Sequence, residues 1–161
     1  MGTEVIEGRR TAAAEGEVVV FLIGMRINKL RRMRSWLPVF RAMPRMLREL
    51  AQDKESGLLG YRLMLGGPRL FTVVQYWETK EKLLAYAMDA DKEHRPAWTA
   101  YNRSARNAGG VVGIWHETYV VPAGRYENIY VNMPEFGLGA AHGTQPVARR
   151  GDRAADRLKV A

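Results

Sequence analysis

Leu58-Leu-Gly-Tyr-Arg-Leu-Met-Leu65, then Gly66-Gly67-Pro68, then Leu70-Phe-Thr-Val-Val-Gln-Tyr-Trp77: this stretch sets the fold. Two apolar runs of strand length flank a Gly-Gly-Pro turn, which reads as an antiparallel hairpin. On its second strand Phe71, Val73, Gln75 and Trp77 share one face, and Leu70, Thr72, Val74 and Tyr76 share the other. Upstream, Glu17 to Ile27 is nearly all apolar and rich in β-branched residues, as expected of a strand buried on both faces. Its face Val19, Phe21, Ile23, Met25 and Ile27 should pack on helices. The opposite face ends polar, at Arg26 and Asn28.

Between that strand and the hairpin, Trp36, Val39, Phe40, Met43, Met46, Leu47 and Leu50 recur at helical spacing. Pro38 and Pro44 are awkward inside one helix. The expectation is a short turn up to Met43 with Ser35 as N-cap, then a better helix from Pro44. After the hairpin, Thr79 caps a helix with Leu83, Leu84 and Ala87 on its apolar stripe. A further helix is expected over 93–106, and a last strand over 111–121, stopped by Pro122-Ala-Gly124.

The order β-α-β-β-α-β is the ferredoxin-like, split-βαβ arrangement of an α+β protein. Its sheet has helices on one face, and a second copy would cover the other. Residues 1–16 read as a flexible lead-in, 17–139 as the domain and 140–161 as a disordered basic tail. Residues 125–138, with Tyr130, Met133 and Phe136, are too apolar for a free tail and should close over the barrel mouth or onto a partner.

Composition narrows the function. The 161 residues suffice for one core. There is no cysteine, which excludes thiolate catalysis and cysteine-ligated metals. The expected location is cytoplasmic, with no membrane-spanning segment. The net charge of +8 raises nucleic acid as a partner. Most of the excess lies on one helix face and in the tail, without any nucleic-acid-binding motif, so no nucleic-acid partner is expected. Three histidines, His94, His116 and His142, are too sparse for a zinc site, and no Ser-centred elbow or phosphate loop occurs. On the last strand Trp115, Glu117 and Tyr119 face opposite to Ile114, His116 and Thr118, and the strand alone leaves open which set points inward. Four tryptophans and seven tyrosines suit an apolar cavity for a planar ligand.

A family resemblance rests on particular residues. Tyr76-Trp77-Glu78, a helix, and Asp91-Lys-Glu-His94-Arg-Pro-Ala-Trp98 resemble the third strand and following helix of antibiotic-biosynthesis-monooxygenase-like proteins. Val19 to Asn28, Trp36 to Leu47, Ser56 to Tyr61, Gly113 to Tyr119 and Tyr130 to Pro134 more closely resemble a bacterial and fungal family that includes an oxygenase from fumagillin biosynthesis. The resemblance implies a homodimeric α/β barrel with a pocket in each subunit. The wider group includes cofactor-independent oxygenases, haem-degrading oxygenases and binding proteins.

The resemblance supports a small monooxygenase that acts, without cofactor, on a hydrophobic secondary metabolite. His116 or His94 would be the base, and Arg26, Asn28 and Tyr119 would position or stabilise an anionic oxygen. Gln75, Trp77, Trp115, Glu117, Tyr130 and Met133 would line the substrate. The alternative is a haem protein, haem-degrading or a haem-dependent enzyme such as a dehydratase, with His94 as axial ligand and Trp77 and Asn28 at matching places. The added residues between Trp77 and His94, including the Asp89–Asp91 interruption, depart from that branch. A third reading is a non-catalytic binding module.

Overall fold

The computed structural model describes residues 4–89 and 109–158. Its main sheet has four antiparallel strands: β2 (Val18–Ile27), β3 (Leu58–Leu65), β4 (Leu70–Trp77) and β5 (Val112–Val121), in the order β3-β4-β2-β5. Helix α1 (Met33–Gln52) follows β2, and α2 (Lys80–Met88) follows β4. This is the expected ferredoxin-like order. The helix expected over 93–106 lies outside the described residues. Among the described residues no helix is long and apolar enough to cross a membrane.

Register fixes what alternation left open. Val19 pairs with Trp77, Phe21 with Gln75 and Ile23 with Val73 on one side of β2. On the other side Phe21 pairs with Thr118 and Ile23 with His116. Paired residues in an antiparallel ladder point to the same face. That face meets the helices. Val19 and Trp77 pack with Leu50 of α1 and Leu83 of α2, while Met25 and Ile27 are joined by Trp36, Val39 and Phe40.

Helix α1 runs unbroken through Pro38 and Pro44, against the expected break, and it starts at Met33 without a side-chain cap from Ser35. Both prolines are exposed, so the carbonyls they leave unpaired can be hydrated. Burial of Leu47 and Leu50 holds the helix together regardless. Arg34, Arg41, Arg45 and Arg48 are exposed, a solvated basic face. Thr79 caps α2 as expected, accepting from the Lys82 amide at 3.1 Å.

The chain ends depart most from expectation. Ile6–Ala12, within the segment expected to be flexible, forms strand β1. It is the middle of a second sheet, flanked by β6 (Tyr130–Met133) and β7 (Thr144–Pro146). The supposed tail carries helix α3 (Leu138–His142), β7, a 3-10 turn at Val147–Arg149 and helix α4 (Ala154–Arg157). Its anchors are Val147, which is 2% exposed, and Arg157, whose guanidinium meets Glu127 Oε2 at 2.9 Å. Arg157 Nη1 also donates to the carbonyls of Gly151 and Asp152. Small residues explain the fit at the other end: Ala12 and Ala14 bury against Val18 and Leu138. This second unit covers one end of the outer sheet face, which the sequence reading assigned to a partner copy. α3 reaches Gly60 of β3, where an added Cβ would stand 3.6 Å from Ala141.

Candidate functional site

On the helix-facing side, β4 places Gln75 and Trp77 two residues apart and both buried. The Trp77 indole Nε1–H donates to Gln75 Oε1 at 2.9 Å. Indole nitrogen is a donor only, so the amide oxygen must face it. The Gln75 Nε2–H₂ group therefore points away from Trp77. Among the described residues it meets no acceptor. A donor held in that state is available to a ligand oxygen. Phe21 stands beside Gln75 in the ladder, and the His116 ring lies 5.8 Å from the Phe21 ring. His116 itself is exposed, at the edge strand. This side thus joins an oriented amide donor, an apolar wall of Phe21, Ile23 and Val73, and an imidazole, a group that can serve as a base.

The other predicted site residues lie elsewhere. Trp115, Glu117 and Tyr119 point to the outer face, opposite to His116. The Trp115 indole packs against Gly24, where an added Cβ would clash with the ring. The Tyr119 hydroxyl donates to Glu117 Oε2 at 2.7 Å, and that bond raises the phenol above its ordinary value. Arg26, also on the outer face, donates to Asn28 Oδ1, while Asn28 Nδ2 donates to the Gly110 carbonyl at 3.0 Å. Asn28 has both ends of its amide engaged, and it pins the loop entering β5. His94 lies outside the described residues.

These contacts bear on haem. Trp77 is 2% exposed with its indole N–H engaged, and Asn28 is tied to backbone and Arg26. Neither is presented to a macrocycle. Among the described residues no group of three His, Cys, Asp or Glu side chains could hold a metal ion.

Tyr130 and Met133 belong to β6 of the second sheet. Met133 is exposed and pairs with Ile6. Tyr130 packs into the seam between the sheets with Tyr76, and its Oη accepts from the Gly139 amide at 3.1 Å. Burial raises the Tyr76 phenol, as does nearby Tyr130, while Arg62 opposes the shift. Burial also raises Tyr130. His142, expected to be solvated, is partly buried in α3, and that burial pulls its imidazole below the ordinary 6.5. The sequence reading passed over Arg62 and Tyr76 as site residues. The available signal was Arg62 itself, the one charge in Leu58–Leu65.

With this geometry in place, three comparisons bear on identity. Monooxygenase af470 of Aspergillus fumigatus is 30% identical over 156 residues, covering 84% of this chain. The match takes in 54% of the fungal protein, so the chain spans about half the length of that curated relative. Among solved structures, the aldoxime dehydratase OxdRE in complex with butyraldoxime superposes with a TM-score of 0.60 at 17% identity. That match covers 86% of this chain and 38% of the dehydratase, and it shows a shared fold. SnoaB, a cofactor-independent oxygenase from Streptomyces nogalater, gives a TM-score of 0.46 at 11% identity over 66% of this chain and 92% of its own. A family profile described as Monooxygenase af470-like matches residues 18–138, from the first residue of β2 into α3. The chain belongs to the Monooxygenase af470-like family.

Proposed function

We propose that this chain is a small monooxygenase that needs no cofactor and acts on a hydrophobic, enolisable or phenolic secondary metabolite. The substrate would lie against the helix-facing side of the sheet. The observation that carries this is the Gln75 amide, turned by Trp77 so that its N–H₂ group is without an acceptor among the described residues. Family membership supports the reaction class.

In this reading His116 removes a proton from a CH₂ or OH group of the substrate. The resulting anion is stabilised on its oxygen by Gln75 Nε2–H₂. The electron-rich substrate then reduces O₂. For a CH₂ group the balance is CH₂ plus O₂ giving C=O plus H₂O, with one oxygen atom kept and the other leaving as water. Phe21, Ile23 and Val73 supply apolar surroundings that strengthen the amide–oxyanion contact. Arg26, Trp115, Glu117 and Tyr119 stand on the opposite face and would not touch the same molecule as His116.

The reading includes a homodimer. Exposed Leu63, Met64 and Leu65 at one edge of the sheet, and Tyr119 and Val120 at the other, support it. Sedimentation of a monomer at micromolar concentration would refute that part.

Oxygen uptake with a panel of hydrophobic phenols and enolisable polyketides tests the chemistry. Gln75→Leu should lower kcat by about 10²-fold, the usual loss for one oxyanion donor. His116→Ala should lower kcat by about 10²-fold or more, the usual contribution of a general base. Uptake unchanged in both variants would sink the assignment.

A further inference from the structure

We propose that Arg62, Tyr76 and Tyr130, at the seam between the two sheets, bind the carboxylate of a small apolar acid. This site lies on the face of the sheet away from His116, and it stands independently of the reaction assigned above.

The donors converge. A point beside Gly137 lies 3.1 Å from Tyr76 Oη and 3.7 Å from Tyr130 Oη. Gly137 has φ 55°, in the left-handed region that favours glycine, and no side chain fills that point. Tyr130 Oη accepts the Gly139 amide, which leaves its own proton free to donate. Among the described residues the Tyr76 hydroxyl makes no hydrogen bond. Burial raises both phenols, so both remain protonated donors at neutral pH.

Arg62 supplies the charge. Its guanidinium carbon sits 3.6 Å above the centre of the Phe136 ring. That stacking holds the fork in place. Its Nε is buried with no partner, and among the described residues it forms no ion pair with a carboxylate. A guanidinium with no counter-ion among the described residues, close enough to Tyr76 to shift it, together with two phenol donors, makes a set of donors lacking an acceptor there. A carboxylate supplies the missing charge and both oxygens. Arg62 pairs with Val74, and Val74 with Leu22, both half-buried on the same face. They form an apolar floor beside the charge, which suits an aryl or acyl body attached to the acid.

Calorimetric titration of the full chain with 2-naphthoate at low salt tests the proposal. 2-Naphthoate should bind, naphthalene-2-methanol at least tenfold more weakly, and acetate more weakly still. Arg62→Leu should weaken naphthoate at least tenfold and leave the alcohol unchanged. Tyr76→Phe should weaken naphthoate severalfold, and it keeps the test open if Arg62→Leu does not fold. Acetate binding as well as naphthoate would overturn the apolar floor. Naphthoate binding that is absent at millimolar concentration, or equal in wild type and both variants, would overturn the site.

Discussion

The orientation of the Gln75 amide rests on one buried hydrogen bond, so removing each partner and then both should show a coupling. Trp77 Nε1 and Gln75 Oε1 are 2.9 Å apart, with both residues nearly sealed. Gln75→Leu leaves the indole N–H buried without an acceptor, a cost of about 1–3 kcal/mol. Trp77→Phe shrinks a side chain packed by Val19, Leu50, Leu83 and Tyr86, and the cavity should cost about 2–3 kcal/mol. It also strands the amide oxygen, adding roughly 1 kcal/mol. The double variant keeps the cavity but strands no polar group. Its destabilisation should therefore fall short of the sum of the singles by about 2–4 kcal/mol, the two stranding costs together. Urea unfolding followed by far-UV circular dichroism measures this, because the tryptophan signal itself changes in two of the variants. Single effects that add within about 0.3 kcal/mol would show that the two groups do not pair in solution. The reason for aiming the Gln75 N–H₂ group at a substrate would then be gone.

Two further outcomes follow from the second sheet. Val147→Ala removes two buried methyl groups and should cost about 2 kcal/mol, lowering Tm by roughly 4–8 °C in a differential scanning calorimeter. A chain stopped after Gly139 should lose at least as much, whereas an unchanged Tm would return residues 140–158 to the status of a dispensable tail. His142 predicts acid sensitivity: its folded pKa lies below the unfolded 6.5, so the unfolded chain binds more protons as pH falls. Stability is fully present above pH 6.5 and is lost as pH drops through the folded value, and His142→Gln should flatten that decline in denaturant midpoints measured from pH 7.5 downward.

What the sequence disclosed depended on how local the signal was. Leu58–Leu65 and Leu70–Trp77 were legible to the residue, because a Gly-Gly-Pro turn brackets two runs of strand length. The proline-containing helix was misjudged at its middle, since proline propensity is a local penalty and burial of Leu47 and Leu50 outweighs it. The second sheet was missed for the opposite reason. Arg9 pairs with Val131 and Thr11 with Gln145, more than a hundred residues away, through strands too short to carry a pattern. Arg157 was read as part of a basic tail because composition does not reveal that Glu127 waits for it.

The candidate site shows a subtler limit. Alternation sorted β2, β4 and β5 correctly into two faces, but it assigns no common phase to strands that are distant in sequence. Only the pairing of Ile23 with both Val73 and His116 places the imidazole on the same face as Gln75. The same pairing sends Arg26, Trp115, Glu117 and Tyr119 to the other face. On β4, three consecutive residues then divide between two environments: Gln75 and Trp77 turn to the helices, and Tyr76 turns to the seam under α3. β4 is hydrogen-bonded on both sides, by β2 and β3, so a one-residue slip would exchange the two sets and bury neither correctly. The ladder that stabilises the sheet is therefore also what holds an amide donor on one face and a phenol donor on the other. Neither arrangement can be read from β4 alone.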